Sequence, residues 1–99
     1  PAKVLEYDMS SGKEIGSFNI VGDTDDLFYD VRRKRVYVSG GNGYLDTFED
    51  RNARFVSIGH IATPAGARTS LFVPELDRLF LAVPHRGTQV AQIQVYEPR

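Results

Sequence analysis

The densest chemistry in this sequence lies at Asp23-Thr24-Asp25-Asp26, where three carboxylates fall within four residues. Carboxylates one or two residues apart on a turn can converge on a hard divalent cation such as calcium or magnesium. The stretch lacks the alternating acids and glycine of a dedicated calcium loop, and Asp or Thr ahead of a strand commonly bonds neighbouring backbone instead. It therefore reads as a ligand-binding turn and not as a committed metal centre. A second polar cluster, Pro84 to Gln89, carries His85 and Arg86 on the longest expected turn, and an expanded polar loop on a short-turn scaffold is where binding residues are normally mounted. Arg68 completes the candidate set of Asp23, Asp25, Asp26, Arg68, His85 and Arg86. The repeat described below places it beside the aspartates, where an ion pair competes with a cation.

Other motifs carry less. Gly40-Gly41-Asn42-Gly43 has no helix after it, so the N-terminal dipole that makes glycine loops bind phosphate is missing, and a hairpin turn is the expectation. Arg32-Arg33-Lys34-Arg35 is a single basic turn in a chain of net charge −1, which fits a solvated strand edge and not a nucleic-acid or membrane surface. Ser39, Ser57 and Ser70 have no His–acid pair at a recognisable spacing, so no catalytic residue is assigned. His60 falls inside an outer strand and reads as a surface residue. With two histidines and no cysteine, thiolate catalysis, disulfides and thiolate zinc sites are excluded, and no metal or cofactor is assigned.

The elements that must hold these residues are short β-strands. Lys3 to Tyr7 and Glu14 to Val21 flank a glycine turn and read as a hairpin. Strands follow at Leu27 to Tyr29, Arg35 to Ser39, Tyr44 to Glu49 and Phe55 to Ala62, then at Ser70 to Val73, Arg78 to Val83 and Val90 to Tyr96. No segment needs a helix. The central strands Val36-Tyr37-Val38-Ser39 and Leu79-Phe80-Leu81-Ala82-Val83 are apolar on both faces, the pattern of sheets covered on both sides.

The strands repeat. Leu27-Phe28-Tyr29 recurs as Leu71-Phe72-Val73 at an offset of 44 residues, and Val36 recurs as Leu79 at 43. Leu45 to Glu49 matches Ile93 to Glu97, and Val4 to Asp8 is an earlier copy. A period in the low forties made of short strands is the signature of propeller blades. The expected fold is all-β, with antiparallel four-stranded blades in an incomplete ring of about two units plus a leading hairpin. Residues 1–22 form a partial blade, 23–65 a complete one and 66–99 a blade lacking its last strand. A small β-sandwich is the competing architecture, and it requires Leu27 to Tyr29 and Leu71 to Val73 to occupy unlike places.

The order "GDTDDLFYD, RKRVYVSGGNGYLDTFE, IATPAGARTSLFVPELDRLFLAVP" resembles the bacterial YVTN-type β-propeller repeat proteins, from about Val4 to Tyr96. The resemblance implies a longer, usually seven-bladed ring of which this chain is a C-terminal piece, a binding surface without transferable catalytic residues, and a location outside the cytoplasm. Blade topology sorts the turns onto two rims. Asp23, Asp25, Asp26, Asn42, Arg68, His85 and Arg86 share the channel-mouth rim, while Arg32, Arg33, Lys34, Arg51, Arg54, Glu75, Asp77 and Lys13 share the other.

Too few units to bury their own faces imply self-association, with the hairpin Lys3 to Val21 completing a neighbour's Val90 to Tyr96 sheet or a similar exchange. The expected function is a non-enzymatic binding scaffold for a protein or small molecule. The alternative is part of a metal-dependent propeller enzyme, lactonase- or lyase-like, with Asp25, Asp26 and His85 as one blade's share of a divalent-ion site.

Overall fold

The computed structural model describes residues 2–99, and every regular element among them is a strand. Strands β1 (Lys3–Tyr7) and β2 (Glu14–Asn19) form a two-stranded sheet. A four-stranded sheet follows from β3 (Thr24–Asp30), β4 (Arg35–Gly40), β5 (Tyr44–Arg51) and β6 (Arg54–Ala62). The last sheet is β7 (Thr69–Val73), β8 (Arg78–Val83) and β9 (Gln92–Tyr96). Each sheet is an antiparallel meander in sequence order, because short polar turns leave no length for a crossover. Strand β3 begins at Thr24, so Asp25 and Asp26 lie on a strand with a register shift between Thr24 and Asp26, and not on the turn expected for them. Val90 lies outside β9.

The sheets stack in chain order. Val4, Phe18 and Ile20 of the first sheet and its connection pack on Val36, Val38 and Phe48, with Phe18 4.3 Å from Phe48 between ring centroids. On the opposite face of the middle sheet, Tyr37 and Leu45 meet Phe72 and Leu79 of the third, with the Tyr37 and Phe72 rings 5.2 Å apart. Covered on both sides, β4 is buried from Val36 to Gly40. The expectation of double coverage fails for β8, which alternates buried and half-buried because nothing covers the side bearing Phe80 and Ala82. The stack measures 48 × 31 × 21 Å with a radius of gyration of 14.1 Å. A compact domain of this length has about 13 Å, so the molecule is elongated.

Strand pairing tests the repeat residue by residue. A shift of 43 carries the pair Asp30↔Arg35 onto Val73↔Arg78, and Asp26↔Ser39 onto Thr69↔Ala82. The sequence offset of 44 at the first strand is therefore corrected by one residue, and Leu27 answers to Ser70. Similar apolar letters on neighbouring positions misled the alignment, whereas two four-residue turns fix the pairing. The third strand shifts by 48, as the sequence match of Leu45 with Ile93 requires, since Val36↔Phe48 becomes Leu79↔Tyr96. One ion pair is copied with the register: Arg35–Glu49 at 3.2 Å recurs as Arg78–Glu97 at 3.7 Å. Strands β3 and β7 lie against each other as matching first strands of adjacent sheets, so the sandwich with these strands in unlike places does not apply.

Candidate functional site

Three loops meet on one side of the stack. Gly41 N–H donates to Asp23 C=O at 2.7 Å, and Gly66 N–H donates to Gly41 C=O at 2.8 Å, which ties residues 22–24, 40–43 and 63–68 together through backbone. Gly40 permits the approach, because a Cβ there would lie 2.4 Å from Val21 Cγ1 and 2.6 Å from the Gly22 carbonyl. Arg68 then reaches back across the junction of two sheets, donating to Asp23 Oδ2 at 2.7 Å, with its Nε 3.7 Å from Asp25 Oδ2. Asp26 turns toward the third sheet and accepts the Ser70 N–H at 2.9 Å. The Ser39 hydroxyl bonds the Arg68 carbonyl at 2.9 Å and lies 2.8 Å from the Ser70 hydroxyl.

Of the six candidates, Asp23, Asp25 and Arg68 are brought into one exposed cluster, and Asp26 stands just behind it as a fastener. The loop 84–89 docks beside them. Gln89 Nε2 donates to the Ala65 carbonyl at 3.0 Å and to the Pro84 carbonyl at 2.8 Å, and a Cβ on Gly66 would lie 2.7 Å from Arg86 Nη1. Arg86 therefore joins the same rim, while His85 and Arg86 are both solvent-exposed. Gln89 was absent from the sequence candidates, since an isolated glutamine in a polar loop carries no spacing signal. Among the described residues no group of three or more His, Asp or Glu side chains could hold a metal ion. The cation reading of Asp25, Asp26 and His85 thus has no ligand set among them, because Asp26 is spent on a backbone amide and Arg68 occupies its neighbours.

The opposite rim holds a second constellation. Asp30 is 3% exposed and accepts the Tyr37 hydroxyl at 2.7 Å, the Arg33 guanidinium at 3.0 Å and the backbone N–H groups of Arg32 and Arg33 at 3.1 and 3.3 Å. Arg33 continues to Asp77 with two bonds of 2.6 and 2.7 Å, joining the hairpin turns of adjacent sheets by a bidentate fork. Burial pushes the Asp30 carboxyl up, but the Tyr37 hydroxyl and Arg33 outweigh it and hold the group below the usual carboxylate range. Burial, reinforced by the Asp30 charge, pushes the Tyr37 phenol up to about 12. The basic turn Arg32 to Arg35 is thus partly internal: Arg33 and Arg35 are engaged in ion pairs, and Arg32 and Lys34 are exposed.

A His–acid pair also exists where the sequence offered none. His60 Nδ1 lies 2.5 Å from Asp46 Oδ1, the His60 ring stacks on Tyr44 at 3.9 Å, and Asp46 Oδ2 accepts the Val21 N–H at 2.7 Å. Asp46 and His60 are directly opposed across β5 and β6, and the register shift between Thr47 and Phe48 brings Ser57 to the same small cleft as His60. Reading this from sequence requires the bulge, which no residue type announces. No hydrogen bond joins Ser57 to His60 among the described residues, so the arrangement acts as a latch on the connection between the first two sheets. A larger groove of about 490 Å³ runs between β6 and the edge of β9, lined by Arg35, Tyr37, Leu45, Ile58, Ile61 and Tyr96 among others.

The chain matches no family model, no curated protein and no solved structure.

Proposed function

We propose that the chain is a non-enzymatic binding scaffold built from propeller-type repeat units, and that it presents the rim of Asp23, Asp25, Arg68, Arg86 and Gln89 to a protein or small-molecule ligand. The observation that carries this reading is the shared pairing register of the second and third sheets, down to the copied Arg–Glu pair. Units that repeat in register stack by a constant geometry and bring equivalent loops to one side, where their side chains vary freely. The rim is polar and of mixed sign, and its loops are fixed by backbone bonds, which suits recognition of a polar surface with little ordering cost.

The experiment is amide chemical-shift mapping against panels of acidic and basic peptides and small polar metabolites. Binding should perturb residues 23–26, 41–43, 66–68 and 85–89 together, and Arg68→Ala or Arg86→Ala should weaken it. Ligand-induced shifts confined to the Asp46–His60 cleft, with turnover of an ester or lactone, would replace this reading with an enzymatic one.

A further inference from the structure

We propose that the chain associates head to tail through its two end sheets, with the Leu71, Phe80 and Val95 face of one copy covered by the Leu5, Tyr7 and Ile15 face of the next. The inference rests on the reading of the sheets as copies of one unit.

The pairing register identifies what each open face is for. Under the shifts that superpose the pairings, the middle-sheet residues on the side facing the third sheet are Phe28, Tyr37, Ser39, Leu45 and Thr47, and their counterparts are Leu71, Phe80, Ala82, Ile93 and Val95. These counterparts line the uncovered side of the third sheet, where Leu71, Ile93 and Val95 are 55%, 63% and 55% exposed. The molecule thus repeats on its outer surface the face that it already buries inside.

The other end supplies the matching cover. Each later sheet sets an aromatic residue of its third strand against the sheet before it: Phe48 on the first sheet, Tyr96 on the second. In the leading hairpin the corresponding aromatic is Tyr7, through the sequence match of Val4 to Asp8 with Leu45 to Glu49. Tyr7 points away from the stack with Leu5 and Ile15, and all three are exposed. Laid on a second copy as Tyr96 lies on the middle sheet, Tyr7 meets Phe80 and Ile93, the counterparts of Tyr37 and Leu45. The contact continues an interface the molecule already contains, and so asks for no new geometry. Charge is balanced on both faces, since in the covered rows of the third sheet Arg78 and Glu97 lie 3.7 Å apart as an ion pair, and the hairpin face carries Lys3 and Glu14, one of each sign.

Two substitutions within the repeat tell this contact from the internal one. Asp26, which accepts the Ser70 N–H, and Arg33, which forks onto Asp77, fasten the third sheet to the second, and the shift of 43 puts Thr69 and Leu76 in their places. The outer face therefore keeps the apolar rows and loses both charged anchors, leaving an association driven by apolar burial and insensitive to salt. The two surfaces differ, so the contact is heterologous and propagates into a closed ring or an open chain.

Sedimentation of the intact chain should show oligomers that grow with concentration and persist in high salt. Phe80→Lys and Tyr7→Lys should each give a monomer with an unchanged β circular-dichroism signal, because both side chains lie on open faces. Mixed in equal amounts, the two variants should form a dimer and nothing larger, since each keeps the one surface the other lacks. Should Phe80→Lys disturb folding, Ile93→Lys takes its place. A wild-type chain that is folded and monomeric overturns the proposal, as does association that survives Phe80→Lys, which would assign it to strand addition at the β9 edge. Either result leaves the repeat reading standing if nuclear Overhauser contacts between Tyr37 and Phe72 are present. Absence of those contacts would sink that reading instead.

Discussion

Asp30 offers the sharpest test of how the stack is held. In Asp30→Ala the Tyr37 hydroxyl, on a side chain only 5% exposed, loses its acceptor, and Arg33 loses one of its two carboxylates while keeping Asp77. A charge-assisted hydrogen bond contributes about 1.5–3 kcal/mol and an unpaired buried donor costs about 1–3 kcal/mol, so the loss should be about 3–5 kcal/mol. At roughly 4–8 °C per kcal/mol for a chain of this size, Tm should fall by at least about 12 °C. The cycle is completed with Tyr37→Phe. In the parent this substitution removes the hydroxyl's bond to the buried carboxylate and should cost about 1.5–3 kcal/mol, whereas in the Asp30→Ala background it removes an orphan and should be neutral or stabilising. Denaturant melts of the four proteins measure both numbers. Equal cost of Tyr37→Phe in the two backgrounds would refute the claim that these groups act as one unit.

Further outcomes follow from the same structure. Because Asp30 is held below its ordinary pKa when folded, its contribution is complete above the unfolded value of about 3.9 and is lost as pH falls through the folded value, so Asp30→Asn should flatten the acid limb of a Tm–pH profile. Tyr37 works in the other direction: its contribution is present below the unfolded value near 10 and fades as pH rises toward the folded value of about 12, which phenolate absorbance in Tyr37→Phe against wild type will isolate. Leu81 is completely buried, and Leu81→Ala should cost about 2–5 kcal/mol in urea melts. Ala53 sits at φ 64 after Asn52 at φ 56, a hairpin turn that prefers Asn-Gly, so Ala53→Gly should stabilise by about 1 kcal/mol, and a lowered midpoint would count against this turn geometry. Millimolar calcium should leave Tm unchanged; a rise that Asp25→Asn abolishes would restore the cation reading.

Much of the architecture could be read from letters because the signals were local. Alternating apolar runs and glycine and asparagine turns placed the nine strands of the described residues, most within two residues of their ends. Coverage was harder. Leu79 to Val83 has the same apolar letters as Val36 to Ser39, yet only β4 is enclosed, since enclosure depends on what lies beyond the neighbouring sheet. The rim was legible to the extent that topology alone sorts loops, and so Asp23 and Arg68 were placed together. Arg33 was expected on a solvated edge and instead spans two sheets, because its partners stand 3 residues away at Asp30 and 44 away at Asp77. The Asp46–His60 latch escaped because a single register shift in β6 decides which side chains face each other.

Double enclosure of β4 also sets a clock for exchange with solvent. Amides in Val36 to Gly40 can exchange only when a neighbouring layer lifts away, whereas those of β1 and β9 need only the fraying of their own sheet. Deuterium uptake should therefore proceed inward from both ends of the chain, with its slowest point just before the midpoint of the sequence.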